Sequence, residues 1–342
     1  MFPSPPPQRA TDPEPTRYYG MLYIDRAQGR RVNLRSSADA VAVYAGCASL
    51  LAASARAAGE SFTVVTNSLK DVRSAAEAGG FAPFPCVEIA FDLALPHATR
   101  FAQAHRKLCL LEIMGSGALG SFVGLMDIDA VLQGPLSGRL GQAPGLHVFA
   151  LDASLAGGRP SDIELLVGRS PARRQWYGGE FIAGDRLSIG RLAATCKSLL
   201  PRYLKVLPRL VHVGDETIVS AALNLLEQDG MPIREVGAER IVARWHGGRL
   251  PVVQQTLAEA LDAIVLHLPS DKLFLQSQAR KPFAPERFRH DLVRRARGRS
   301  LLRSLANPFL DLAEGKHKFP PQVGNLRAPD PRRPISVRQA GQ

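Results

Sequence analysis

A chain of 342 residues that is 45% hydrophobic and 22% charged can bury a sizeable core, in one large α/β domain or two smaller ones. Its formal net charge of +12 sits almost wholly at one end: residues 280–342 hold 15 Lys and Arg against 5 Asp and Glu, and the preceding 279 hold 28 against 26. A surface for an acidic partner is therefore a property of the C-terminal stretch alone, and without an RNP motif or zinc-finger spacing no nucleic-acid partner is expected.

Residues 1–16 are polar and proline-rich, with little to bury, and are expected to be disordered. They hold no apolar h-region, so neither a signal peptide nor an anchor is expected there. A first strand is predicted over 18–25, followed by a polar loop through Arg35. An alanine-rich helix over 37–58 follows, capped by Ser36 or Ser37 and stopped by Gly59. Its most apolar part, 41–55, is too short to cross a bilayer. The run SFTVVT over 61–66 reads as a second strand, and Asn67 or Ser68 opens a helix ending near Gly79-Gly80. A short strand over 86–89 precedes a long helix over 97–114, which carries Arg100, His105, Arg106 and Lys107. The next strand covers 120–129. Strand and helix thus alternate over the first 130 residues, which implies a parallel sheet covered on both faces. Ligands in such sheets sit at the carboxyl ends of the strands, where Asp25, Thr66, Asn67 and Asp127 lie. No glycine-rich phosphate loop is present, so a nucleotide bound there needs a metal for its phosphates.

The second half is less regular. Strands are predicted over 147–152, 241–245 and 264–268, and helices over 187–203 and 218–226. Residues 157–160 read as a loop, and WYGGEFIAGD over 176–185 as an aromatic-glycine turn running into a short strand. The four cysteines, Cys47, Cys86, Cys109 and Cys196, lie in apolar contexts without paired spacing, which suits reduced thiols in a cytoplasmic protein.

The most informative stretch is GSFVGLMDIDAVLQGPL over 120–136. An apolar run with no polar face ends in Asp127-Ile128-Asp129. In extended chain the side chains of residues i and i+2 point the same way, so the two carboxylates can address one divalent cation while Ile128 faces the core. Paired carboxylates at the end of a buried strand are costly unless a cation or strong donors meet them. The alternative is a pair of strand-end acids capping a turn. Three further pieces follow in order: Gly178-Gly179, the acidic pair Asp215-Glu216 opening a helix, and His267 followed five residues later by Lys272.

This order resembles that of GT-A-fold, retaining, nucleotide-sugar glycosyltransferases, most similarly glycosyltransferase family 8, over about residues 18–275. The resemblance implies a Rossmann-like mixed α/β sheet flanked by helices, here with a basic helical C-terminal extension. It implies that Asp127, Asp129 and His267 hold Mn²⁺ or Mg²⁺, that Lys272 contacts the diphosphate, and that Lys107 faces the donor. The family usually has a slightly longer His–Lys spacing with Pro-Trp after the lysine, whereas Leu273-Phe274 stands here. Tyr23 and Asp25 fall where the family holds uracil and ribose, and Gly179 in the turn that lets backbone approach the donor sugar. Asp215 and Glu216 match the acids beside the reactive carbon, although relatives often have Gln at the second position. The plainer reading of that pair is two helix-start acids complementing the macrodipole.

The expected activity is transfer of a hexose from a UDP-sugar to a glycan or lipid-linked acceptor. The expected organisation is a disordered segment 1–16, a catalytic domain 17–279, a basic helical extension 280–314 and a proline-rich irregular tail 315–342. Apolar residues at roughly helical spacing among the arginines of 283–313 suit peripheral association with an anionic membrane, at its inner, cytoplasmic face. Two competing readings are a haloacid-dehalogenase-like phosphatase with Asp127 as nucleophile and a non-enzymatic anionic-surface-binding protein. The phosphatase pattern wants a further acid four residues after Asp215, where Val219 stands.

Overall fold

The computed structural model of the chain describes residues 15–25, 39–96, 99–152, 159–246 and 255–313, with 300–313 as helical backbone only. The expectations for 1–14, for the loop and cap before residue 39, for 157–158 and for the tail 315–342 lie outside those residues.

β1 (Arg17–Leu22), α1 (Ala40–Ala57), β2 (Ser61–Thr66), α2 (Leu69–Ala78) and β3 (Cys86–Glu88) follow the predicted alternation. Asp39 caps α1 by accepting from the Val41 N–H, and Gly59 follows its end at φ +76°. α1 has 18 residues and is long and apolar enough to cross a membrane, so the length argument against a span does not apply to it. Burial of eleven of its residues makes it a core helix of this fold instead. The predicted long helix is shorter and broken, into α3 (Ala102–His105) and α4 (Lys107–Gly115). Phe101, just ahead of α3, has a left-handed backbone at φ +56°, a conformation that a right-handed helix cannot contain.

β4 (Phe122–Met126) is wholly buried and stops one residue before Asp127. β5 (Ala130–Leu132), α5 (Ser137–Leu140), β6 (Leu146–Leu151), α6 (Arg159–Val167), β7 (Trp176–Asp185), α7 (Arg186–Val206) and α8 (Asp215–Gln228) come next. The predicted glycine turn at 176–180 is instead the first half of β7, a ten-residue strand buried over its first nine positions. The chain continues through β8 (Ile233–Glu235), β9 (Val242–Arg244), α9 (Leu257–Leu261), β10 (Val265–His267), α10 (Lys272–Gln278) and α11 (Pro285–Ala313).

Seven strands form one mixed sheet in the order β3-β2-β1-β4-β7-β6-β8, flanked by helices. β3, β2, β1 and β4 run parallel, and β7 is antiparallel to both β4 and β6. β5, β10 and β9 form a second, smaller sheet. The aspartates are therefore not in one strand, as the extended-chain reading has them, but in the turn that passes the chain from one sheet to the other. The Ala130 N–H closes that turn on the Asp127 carbonyl, 3.1 Å away. Each end is pinned to its own sheet: the Asp127 N–H donates to the Glu180 carbonyl on β7, and the Leu268 N–H to the Asp129 carbonyl, both at 2.9 Å. Ile128 is buried between them, facing the core as expected.

The chain divides into two compact units, 1–296 and 297–342. Within the first, Phe288 and Leu292 of α11 are buried in a cluster with Phe274 of α10. Full burial of such side chains contributes about 1.5–3 kcal/mol each. Two of the apolar residues in the basic segment thus belong to its own domain. In the second unit, the described residues 297–313 are helical.

Candidate active site

The sheet-to-sheet turn brings Asp127 and Asp129 to His267, the last residue of β10. The His267 Nε2 lies 3.2 Å from Asp129 Oδ1 and 3.7 Å from Asp127 Oδ2. The three potential ligand atoms lie within 4.8 Å of one another, a spacing that one metal ion can bridge. The Asp129 and His267 side chains are buried, and that of Asp127 keeps 25% of its surface exposed.

Two lysines at helix starts face these carboxylates. Lys272 opens α10 and places its Nζ on Asp129 Oδ2 and, at 2.7 Å, on the Pro269 carbonyl. Lys107 opens α4, and its Nζ lies 2.6 Å from Asp127 Oδ1, 2.9 Å from the Gly179 carbonyl and 3.3 Å from Asp215 Oδ2. Their effects on the two aspartates differ. Burial would raise the pKa of Asp129, but Lys272 and His267 outweigh it and hold the carboxyl well below its usual range. Burial prevails at Asp127, which is raised despite Lys107. For His267, burial alone would lower the pKa, yet Asp129 and Glu180 bring it up to about 9.

The acidic pair occupies the first turn of α8, whose position is fixed by polar contacts with β7. Ser220 accepts from the Tyr177 N–H, and Asn224, one turn on, accepts from the Gln175 N–H. The preceding loop is held by Asp162 of α6, which accepts from the Val211 and His212 N–H groups at 2.9 and 2.8 Å. Glu216 Oε2 accepts from the Trp176 indole at 3.2 Å and lies 3.6 Å from His212 Nε2. Gly179 sits directly beneath this pair. A Cβ there would come 2.7 Å from Asp215 Oδ2 and 3.2 Å from Lys107 Nζ.

Three residues that motif reading passed over belong to the same cluster. Glu180 is buried, with Oε1 3.6 Å from His267 Nδ1 and 3.6 Å from Arg244 Nη1. Burial acts to raise its pKa, but Arg244 and His267 hold it down at about 2. Arg244, the last residue of β9, also lies 3.6 Å from Glu216 Oε1. His212 packs edge-on against Trp176 at 5.4 Å between ring centroids. The signal for Glu180 and Arg244 was a single charge inside an otherwise apolar run, since a buried charge needs a partner.

A cavity of about 330 Å³, within the range of small-ligand sites, is lined by Tyr23, Tyr44, Phe101, Asp127, Glu216 and Arg244 among others. Lys107, Asp129, Asp215, His267 and Lys272 line it as well. Tyr23 is flanked by Phe91, edge-on at 5.4 Å, and by the Arg106 guanidinium 5.1 Å from its ring. Of the ten residues to which the resemblance gives a role, Asp25 and Gly179 are not among the lining residues, and neither are the strand-end Thr66 and Asn67; Gly179 touches the cluster from behind.

No protein-family model matches the chain, and no curated protein matches it by sequence. Among solved structures, the chain is similar to the galactosyltransferase LgtC in complex with donor and acceptor sugar analogs. The TM-score is 0.42 at 14% sequence identity, over 66% of this chain and 75% of that one.

Proposed function

We propose that this chain is a metal-dependent glycosyltransferase, most like family 8, that transfers a hexose from a UDP-sugar with retention to a glycan or lipid-linked acceptor. One observation carries the reading: Asp127-x-Asp129, Asp215-Glu216 and the His267–Lys272 pair line a single cavity, and Gly179 adjoins it, although they are far apart in sequence. The phosphatase alternative lacks its late acid, because the position four residues after Asp215 is Val219, buried in the core.

The residues fit a divalent cation. Two carboxylates and an imidazole form a donor set suited to Mn²⁺ or Mg²⁺. Asp127, Asp129, Glu180, Asp215 and Glu216 set five negative charges against three positive ones on Lys107, Arg244 and Lys272. Once His267 is neutral, as a metal ligand must be, these leave two negative charges, which one divalent ion balances. When bound, the cation neutralises charge on the departing diphosphate.

The chain's own groups divide the remaining work. In the proposed reaction the bond from the anomeric carbon to the diphosphate oxygen breaks, and an acceptor hydroxyl oxygen bonds in its place. Lys107, held between Asp127 and Asp215, fixes the spacing of the metal-side and sugar-side acids. The absent side chain at Gly179 leaves Asp215 against the strand, beside the donor sugar. Glu216, oriented by the Trp176 indole, supplies negative charge to an oxocarbenium-like centre. The same reading places the enzyme at the cytoplasmic face of an anionic membrane, through the basic stretch 283–313. Since Phe288 and Leu292 are buried in the domain, that contact falls to the arginines and to residues beyond them.

The direct test is release of UDP from a panel of UDP-sugars, with and without Mn²⁺. Hydrolysis of one donor that requires Mn²⁺ and is abolished in Asp129→Ala is expected. Release that is indifferent to both would sink the assignment. For the membrane contact, changing Arg297, Arg299 and Arg303 to Glu should reduce co-sedimentation with anionic liposomes at low salt. Equal sedimentation would remove that part of the reading.

A further inference from the structure

We infer that Glu180 is a positioning residue for His267: its carboxylate holds the Nδ1 side of the imidazole, so that Nε2 is presented to Asp127 and Asp129. This rests on the metal-dependent reading above but concerns a residue that no motif assigns.

Three observations carry it. First, Glu180 is buried inside a strand, and neither of its carboxylate oxygens accepts a hydrogen bond among the described residues. Buried carboxylates without donors are rare and costly, so the group needs a reason to be there. Second, the His267 Nδ1 is likewise buried without a hydrogen-bond partner, and it lies 3.6 Å from Glu180 Oε1. Closing that gap to hydrogen-bond length takes a movement of roughly 0.5 Å. The other ring nitrogen faces the two aspartates. Third, the strand is built around this carboxylate. Residues 178 and 180 share a face of β7 by alternation. A Cβ on Gly178 would lie 1.8 Å from Glu180 Oε2, so only glycine at 178 leaves room for the side chain as it is folded.

Histidines that ligate a metal through one nitrogen commonly donate the other N–H to a carboxylate, which fixes the tautomer and the ring plane. Glu180 is placed to do this. Arg244, 3.6 Å away on its other side, keeps the carboxylate from swinging free. Because Arg244 lies equally close to Glu216, the same guanidinium ties the histidine's support to the sugar-side acid.

The experiment is Mn²⁺ binding to the full chain, followed by the electron paramagnetic resonance signal of free Mn²⁺, with no donor present. Glu180→Ala is expected to weaken binding about 10- to 100-fold. Glu180→Gln keeps an acceptor oxygen and should lose less. Gly178→Ala leaves Glu180 in the chain but displaces its carboxylate, and should resemble Glu180→Ala. Circular dichroism and thermal melting establish which variants fold. Should Glu180→Ala fail to fold because Arg244 loses its partner, Glu180→Gln and Gly178→Ala still decide the matter. Wild-type affinity in every folded variant would overturn the inference alone. A wild-type chain that binds no Mn²⁺ would overturn the metal reading and this inference with it.

Discussion

Two acidic pairs serve one cavity, and they are stabilised in different ways. Asp215 and Glu216 stand in the first turn of a fourteen-residue helix, where unpaired backbone N–H groups favour negative charge. Asp127 and Asp129 stand in a turn between two sheets, which offers no such field. Their compensation comes from side chains alone: Lys107, Lys272 and His267. The helix-start acids should therefore tolerate loss of a neighbour, while the crossing acids should be fragile until a cation joins them. Lys107 touches both pairs directly, so a change in either is felt by the other through it.

The comparison breaks most readily at Lys272. Replacing it with Met leaves Asp129 buried against His267 alone, and removing one partner of a buried pair costs about 3–5 kcal/mol. Urea unfolding in the presence of a chelator should show a loss of that order, and Mn²⁺ should restore much of it. A loss under about 1 kcal/mol would mean that the turn supports its own charge.

The pair that opens α8 should behave in the opposite sense. Glu216→Gln is expected to lower turnover by about 10²–10³ if its charge stabilises the transition state, with Mn²⁺ binding unchanged. Asp215→Asn should cost up to about 2 kcal/mol of stability, the upper worth of a partly buried helix-start acid, because Lys107 keeps Asp127 as a partner. Larger losses of fold in either variant would put the two pairs on the same footing.

The smallest effect sharpens the comparison through pH. The folded pKa of His267 is raised to about 9 from its ordinary 6.5. In metal-free protein its contribution to stability is thus complete below about pH 6.5 and is lost as pH rises through about 9. Bound metal requires the neutral ring, so Mn²⁺ should flatten or reverse that slope. Melting temperatures at pH 6, 7.5 and 9, with chelator and with Mn²⁺, test the sign.

Much of the parallel half of the large sheet was legible, because β1, β2 and β4 are apolar runs bounded by polar or glycine punctuation. The Asp127, Asp129 and His267 cluster was legible for the same reason: the two aspartates follow a wholly apolar run, and His267 ends another apolar strand. What sequence alone hid was three-dimensional exchange. Nothing local says that the chain changes sheets at Ile128, so the aspartates read as strand when they form a turn. Gly178-Gly179 read as a turn because glycine pairs favour turns. In the fold they are strand residues, and a carboxylate lies against each: that of Glu180 on the same strand against Gly178, and that of Asp215 from α8 against Gly179. α9 was passed over even though Thr256 and Glu259 form a reciprocal capping box, a signal that was present in the sequence. α10 begins at Lys272 itself, which draws the lysine into the buried cluster.

The back-to-back glycines of β7 also bear on how this sequence can drift. Position 178 is held small by the carboxylate at 180, and position 179 by the one at 215. A side chain added at either position must push that carboxylate aside, and the need lapses once the acid is replaced by something shorter. Descendants of this chain should therefore change 178 together with 180, and 179 together with 215. The two couplings should be inherited independently, since the side chains at 178 and 179 would point to opposite faces of the strand.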